Sequence, residues 1–224
     1  MNQKTNEGIA RKKKTQTGSS DTTENDFLDA AERQFAENGY AGAKIRAIAE
    51  EAEANLGALH YYWGSKESLF RAACSRRMEP VIAERMRRYD EFVGRAPTVE
   101  EILRAYFEPA FLSNREDPPK RAHFCRIYAR ILTDPSPEVK TIMAEIFSEC
   151  TARFVTLLRG TCGHLDDNAF YWRLHCVFGV FQHAATYTDN IGILAGGKFD
   201  MTDLDAGIDR IIHFVAAGLK APAI

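Results

Sequence analysis

The sequence predicts an all-α protein, and three observations carry that expectation. From residue 24 onward apolar residues recur at helical spacing, and no stretch keeps the period-two alternation of a half-buried strand. Between Asp26 and Phe70, short helical patterns follow one another across gaps too brief for antiparallel packing. Beyond Phe70, breakers such as Pro97-Thr98, Pro118-Pro119, Asp134-Pro135-Ser136-Pro137 and Gly196-Gly197 divide the chain into longer helices. The expected architecture is an N-terminal three-helix helix-turn-helix unit over 23–70 and a larger helical domain over 71–224, with about nine helices in all.

Each element of the first unit has a local reason. Phe27, Leu28, Ala31 and Phe35 lie on one helical face, and Asn38-Gly39 supplies a stop, so the first helix is predicted over roughly 24–38. Ile45, Ile48, Ala49 and Ala52 mark a second helix of about nine residues. Leu59 and Trp63 form the inward side of a third, which starts at Asn55 or Leu56. Asn55 suits the cap of that helix because its side chain accepts from free backbone N–H groups. Glu53 and Ala54 leave so little chain between the two helices that they must cross steeply, and small Ala49 lets them approach.

With Leu59 and Trp63 turned inward, the third helix presents Leu56, Gly57, His60 and Tyr61, with Tyr62 toward one edge. That surface has the dimensions and chemistry for a DNA major groove. A glycine inside a helix costs about 1 kcal/mol relative to alanine, so Gly57 points to a close backbone approach. Lys44, Arg46 and Lys66 flank the surface as cationic anchors, and Asn55 completes the candidate set. Gly64-Ser65 then breaks the helix, and Ser65-Lys66-Glu67 opens a fourth whose free N–H groups suit a further phosphate.

Charge placement works against this reading at first sight. The whole chain carries a formal −2, and residues 24–69 hold nine acids against Arg33, Lys44, Arg46 and Lys66, a net −5. Modest affinity per monomer follows, with help expected from a dimer, from Arg71, Arg76 and Arg77, or from the N-terminus. There Lys4, Arg11, Lys12, Lys13 and Lys14 stand against Glu7, and Thr, Ser and Gly follow. Residues 1–22 therefore read as a disordered basic arm that either keeps the protein soluble or touches phosphates or the minor groove.

The segments Phe35-Ala36-Glu37-Asn38-Gly39-Tyr40, Arg46-Ala47-Ile48-Ala49 and Gly57-Ala58-Leu59-His60-Tyr61-Tyr62-Trp63-Gly64-Ser65-Lys66-Glu67-Ser68-Leu69-Phe70 resemble the DNA-binding domain of the TetR family of transcriptional regulators. The resemblance covers about 26–70. Ala43-Lys44 departs from the small hydroxyl residues usual there, Glu53 stands at a turn position where glycine is usual, and His60 stands where a tyrosine is common. Trp63 replaces the usual phenylalanine. The resemblance implies a repressor that binds double-stranded DNA at an inverted repeat, as a homodimer paired through its last two long helices. It further implies a small-molecule effector housed among the middle helices.

Downstream, helix four is predicted from Lys66 to about Phe92 across Pro80, with Arg85, Arg87 and Arg88 on a solvated face. Further helices are expected from Pro97-Thr98 to near Asn114, from Pro118-Pro119, over Glu138–Arg159, from Asp166 or Asp167 to about Leu194, and over Asp203–Leu219. Trp172, Leu174, Val177, Phe178, Val180, Phe181, Ile211, Phe214 and Val215 are apolar beyond one stripe, which suits burial on two sides. Candidate effector-lining residues are Tyr106, Phe107, Phe111, Phe124, Tyr128, Phe147, Phe154 and Phe178. The runs Phe124 to Leu132 through Asp134-Pro135, and Tyr171 to His175, are similar to a subgroup that includes fatty-acid and acyl-thioester sensors, which implies an apolar, acyl-type effector.

Other functions leave little trace. No phosphate loop, nucleophile elbow or catalytic carboxylate pair is present, so no catalytic residue and no cofactor are expected. Cys162-x-His164 and His175-Cys176 with His183 do not match a closed metal site. Cys74, Cys125, Cys150, Cys162 and Cys176 are odd in number and never paired as C-x-x-C, which suits reduced thiols. No run approaches the roughly 18 apolar residues of a membrane helix, so a soluble cytoplasmic protein is expected. The rival class is an all-helical interaction protein or enzyme without DNA binding.

Overall fold

The computed structural model describes residues 19–112, 118–185, 190–198 and 204–223, and among them there is helix and no strand. The basic arm lies outside these residues except at its end. Residues 19–22 are helical and belong to α1 (Ser19–Gly42), so the first helix starts earlier than the apolar pattern alone indicates. The predicted stop is real: Gly39 leaves helical geometry at φ 68, ψ 174, and the segment continues to Gly42 only beyond that kink.

Two short helices follow, α2 (Ile45–Glu51) and α3 (Leu56–Trp63), and then the long α4 (Lys66–Asp90). Asn55 caps α3, its Oδ1 accepting from Ala58 N at 2.7 Å, and Ser65 caps α4 by accepting from Ser68 N at 3.0 Å. Gly64 turns between them with φ +65. α4 runs through Pro80 as one helix. α5 (Val99–Phe111) begins in a capping box between Thr98 and Glu101, α6 spans Pro118–Thr133, and α7 (Pro137–Thr161) starts on a proline in its first turn. α8 covers Asp167–Ala185, with Asp166 Oδ1 accepting from Ala169 N, and α9 covers Asn190–Ala195. The single helix expected to Leu194 is thus described as two segments, with 186–189 outside the described residues. Gly196 and Gly197, both at positive φ, follow α9, and α10 (Leu204–Lys220) closes the fold.

Apolar side chains collect in two clusters. The first holds Phe27, Ala31, Phe35, Ile48, Leu59, Leu69, Phe70 and Cys74 from α1 to α4, but it also takes in Ile127 and Ile131 of α6 and Val139 and Ile142 of α7. The second joins the outer half of α4 to α5, α6, α7, α8 and α10. At about 1.5–3 kcal/mol for each large side chain fully buried, both clusters are substantial, and α4 belongs to both.

One residue in the helix-turn-helix sits in the left-handed region without being glycine. Glu53 has φ 51, which an L side chain adopts at a cost of about 1–2 kcal/mol. Glu53→Gly is expected to stabilise the fold by about 1 kcal/mol after the added freedom of the unfolded chain is subtracted. Thermal unfolding followed by circular dichroism should show a rise of about 2–4 °C.

Candidate nucleic-acid interface and the core of the C-terminal body

The outward side of α3 is open. Tyr61 is 85% exposed and stands edge-on to Tyr62, while Leu59 on the opposite side is fully buried. Gly57, His60 and the caps Asn55 and Gly64 are exposed, and Leu56 and Tyr62 are half-buried, Tyr62 leaning on Phe27. His60 Nδ1 lies 3.3 Å from the Gly64 carbonyl; a carbonyl can only accept, so Nδ1 is the donor of that contact. A Cβ on Gly57 would stand 3.2 Å from Asn55 Oδ1, so the glycine also leaves room for the cap. Trp63 turns inward as predicted, but its indole N–H is buried without an acceptor, a cost the usual phenylalanine would not carry.

The cations divide into two groups. Lys44 and Arg46 are exposed and, among the described residues, form no ion pair. Lys66 is half-buried: its Nζ lies 4.9 Å from the Tyr40 ring centre and donates to the Ala41 carbonyl at 3.4 Å, and burial draws its pKa below the usual lysine value against the opposing pull of Asp134. Arg71, Arg76 and Arg77, expected to assist DNA binding, are engaged elsewhere. Arg71 pairs with Glu145 at 2.5 Å. Arg76 donates to Glu32 at 2.8 Å and to Asp29 at 2.5 Å, and Arg77 donates to Glu32 at 2.5 Å.

Those pairs also account for part of the acidic count. Glu32 is only 2% exposed and is clamped between two arginines, and Glu51 is held by Arg33 and by Gln34 at 2.8 Å. Burial opposes the charge of Glu51, but these hydrogen bonds outweigh it and keep the carboxyl below the usual range. Three of the nine acids that make the head net negative, Asp29, Glu32 and Glu51, are therefore spent inside it. They hold α1 to α2 and to α4.

The head is also tied to the body. Tyr40 N donates to Asp134 Oδ2 at 3.0 Å, Ser136 N donates to Asp134 Oδ1 at 2.9 Å, and Arg130 crowds Gly39 so closely that a Cβ there would fall 2.6 Å from its Nη2. The Tyr40 ring packs on Phe35 and Phe70. A shift of α6 is thus felt at the end of α1.

In the body, all the candidate effector-lining aromatics fall in one apolar cluster. Tyr106 stacks on Phe154 at 4.2 Å and meets Phe181 at 5.0 Å and Phe178 at 6.0 Å, Phe107 meets Phe111 and Phe181, and Phe124 stacks on Tyr128. Arg85 lies among them. Placed on a solvated face by its neighbours in sequence, it is instead 0% exposed, with Nε donating to the Tyr106 carbonyl at 2.8 Å and the guanidinium 3.9 Å from the Tyr106 ring centre. Arg87 is the solvated member of the three, and Arg88 reaches Glu84 and Glu108. Neither terminal nitrogen of Arg85 makes a hydrogen bond of normal geometry, nor does the buried Tyr89 hydroxyl, although the Tyr106 and Tyr128 hydroxyls and the Cys150 thiol approach them more loosely. Burial of a lone cation costs several kcal/mol even after relaxation. One charged hydrogen bond returns about 1.5–3 kcal/mol and a desolvated ring contact about 2, so the site stands near break-even with one of the guanidinium's five N–H donors in a hydrogen bond of normal geometry.

The far side of α8 and α10 carries large exposed apolar groups, Trp172 at 64% and Phe214 at 70%, with Tyr171 and Cys176 beside Trp172 on α8. Leu174, Val177, Phe181 and Val215 of the same helices face the core. Arg173 joins the two helices by donating to the carbonyls of Gly218 at 3.0 Å, Ala221 at 2.5 Å and Pro222 at 2.6 Å, the end of α10 where the dipole is negative. His164 also lies against the Ala221 carbonyl, and Cys162 is buried. Among the described residues no three His, Cys, Asp or Glu are placed to hold a metal ion, and no helix is long and apolar enough to cross a membrane.

Comparison with known proteins decides the family. Residues 27–73 match the family described as bacterial regulatory proteins, tetR family, and residues 104–218, half of the chain, match the tetracyclin repressor-like C-terminal domain. The chain belongs to the TetR family of DNA-binding transcriptional regulators. Among curated TetR relatives, the transcriptional repressor AcnR of Corynebacterium glutamicum is 39% identical over 62 residues, which is 26% of this chain and 33% of that protein. The repressor NicS of Pseudomonas putida is 37% identical over 60 residues, 27% of this chain and 28% of that protein. The aligned part thus spans about a third of these relatives or less. In fold, the chain is similar to the fatty acid degradation regulator FadR of Bacillus halodurans, with TM-score 0.62 and 20% identity over 88% of this chain and 99% of that one. FadR of Bacillus subtilis, solved with stearoyl-CoA, gives TM-score 0.59 and 19% identity over 86% and 97%.

Within this TetR fold, sequence reasoning missed Arg85, Asp134 and Arg173. Each is a polar residue whose role depends on a partner distant in the chain, and local spacing is silent about such partners. Asp134 offers a direct check. Burial alone would raise its pKa, but the N–H groups of Ser136 and Tyr40 outweigh burial and hold the carboxyl below its ordinary value. Its contribution to stability is present in full above about pH 3.9 and is lost as pH falls through the lowered folded value. Asp134→Ala is expected to cost about 1–2 kcal/mol at pH 7, and the gap between variant and wild type in urea unfolding should close at acid pH.

Proposed function

We propose that this TetR chain is a homodimeric repressor that binds a palindromic operator through α3 and releases it when a small apolar effector, an acyl compound in the first instance, enters the C-terminal body. In this reading 1–22 is a basic arm, 23–70 the DNA head and 71–224 the sensing and dimerisation body, working on DNA in the cytoplasm. The observation that carries it is the exposed face of α3, where Tyr61 stands clear of the fold, together with exposed Lys44 and Arg46, which form no ion pair among the described residues. Tyr61, His60 and Gly57 then meet the major groove, Lys44, Arg46 and Lys66 meet phosphate, and Asn55, Leu56 and Tyr62 shape the helix that presents them.

The dimer supplies what the head lacks in charge. Two heads double the phosphate contacts, and the uncovered apolar face of α8 and α10 is the surface on which a second copy would pair. Effector control fits the contacts between α6 and the head, because a ligand among Tyr106, Phe107, Phe111, Phe124, Tyr128, Phe147 and Phe178 sits against α6 and α4 together. The acyl class is favoured by the fold shared with FadR, whose Bacillus subtilis form was solved with stearoyl-CoA.

A gel-shift with the promoter region next to the protein's own gene separates this from a helical interaction protein or enzyme without DNA function. Tyr61→Ala is expected to weaken binding about tenfold and Arg46→Ala to lower the salt dependence by about one phosphate contact, both with unchanged helical content. Wild-type behaviour in both variants would remove α3 from the interface. Trp172→Glu together with Phe214→Glu should yield monomers by sedimentation and abolish the shift at concentrations where the wild type is saturated; a dimer in that double variant would move the interface elsewhere.

A further inference from the structure

Arg85 is a cation held in the body with no counter-ion. It has no exposure, its two terminal nitrogens make no hydrogen bond of normal geometry and have only the looser approach of the Tyr106 and Tyr128 hydroxyls and the Cys150 thiol, and among the described residues no carboxylate pairs with it. The polar groups around it are the hydroxyls of Tyr89, Tyr106 and Tyr128 and the thiol of Cys150. Burial pushes all four up in pKa, so none provides a negative charge at neutral pH, whereas the guanidinium stays protonated. Beyond these groups lie the rings of Phe147 and Phe181, 5.9 and 5.4 Å from the guanidinium.

We propose that Arg85 is the anion anchor of the effector site and that the effector is an apolar monocarboxylate. The assignment rests on reading the body as a sensor and narrows its ligand. Because Nε is committed to the Tyr106 carbonyl, the edge left for a ligand is the one formed by the two terminal nitrogens, a planar pair of donors that matches the two oxygens of a carboxylate. The Tyr89 hydroxyl, which makes no hydrogen bond of normal geometry and interacts with the Cys150 thiol, adds a third donor. A single negative charge neutralises the single positive one, while a dianionic phosphate would leave an excess charge buried. An acyl thioester has no charge at its carbonyl, and its large hydrated head cannot follow the chain to nitrogens that solvent does not reach. The free acid is therefore the ligand, with its apolar part among the phenylalanines.

The test is thermal unfolding of the full-length protein with octanoate, dodecanoate and phenylacetate, each against its neutral counterpart (octan-1-ol, dodecan-1-ol, phenylacetamide), and with dodecanoyl-CoA. At least one acid should raise the wild-type midpoint by about 5–10 °C at a hundredfold excess over its Kd. It should also bind about ten- to a hundredfold tighter than its neutral partner. Arg85→Met, which removes the charge and keeps an apolar stem, is expected to melt at or above the ligand-free wild type and to bind acid and neutral probe alike. A purely structural arginine predicts the opposite, a lower midpoint and no acid preference in the wild type. Arg85→Lys keeps the charge without the fork and should retain a weakened preference for acids; should neither variant fold, the wild-type comparison of acid with neutral probe decides alone. Equal binding of acids and neutral probes, or binding of dodecanoyl-CoA without any acid, would overturn the anchor and leave the sensor standing. No binding by any probe would overturn both.

Discussion

One helix belongs to both halves of this molecule, and most other features follow from that constraint. The first turns of α4 place Leu69, Phe70, Ala73 and Cys74 in the head cluster, and its later turns place Met78, Val81 and Tyr89 in the body. A helix rises about 1.5 Å per residue, and α4 stays one helix although Pro80, which has no N–H to donate, leaves one of its hydrogen bonds unmade. Head and body therefore share one element, and Leu69 near its start lies in the same cluster as Leu59 of α3.

Charge follows the same geometry. A head that is acidic by count is on that count a poor partner for a polyanion, but Glu32 and Asp29 face α4 and meet Arg76 and Arg77, and Glu51 meets Arg33. The ion pairs that neutralise these acids also hold α1 against α2 and α4. Net charge counts what the residues are, whereas the field at the surface depends on which of them remain unpaired, and among the described residues Lys44 and Arg46 form no ion pair.

Much of the head was legible in the sequence because its determinants are local. The Asn55 cap, the Gly39 stop, the inward Leu59 and the break at Gly64 each act within four residues, and each appears where the residue types place it. Helix starts at Pro118, at Pro137 and just after Thr98 were legible for the same reason. The α1 start was read late because Ser19 to Thr23 carry no apolar stripe. Arg85 was misread for a deeper cause: beside Glu84, Arg87 and Arg88 it looks like one of a solvated row, but each residue turns a helix by about 100°, and that turn carries Arg85 to the inner face with Met78, Val81 and Tyr89. The aromatic candidates came together in space, but their spacing gave no hint that a cation stands among them.

The hydrogen bonds from Arg173 to the last carbonyls of α10 have a consequence for association. They fasten α8 and α10 at the end where a terminal helix would otherwise fray, and Lys220 adds an ion pair to Glu100 of α5 at 2.5 Å. The apolar face that carries Trp172 and Phe214 is therefore already rigid before anything covers it. A partner docking there, as in the proposed dimer, would meet a surface whose ordering entropy was surrendered on folding, without the entropic penalty of coupled folding and binding.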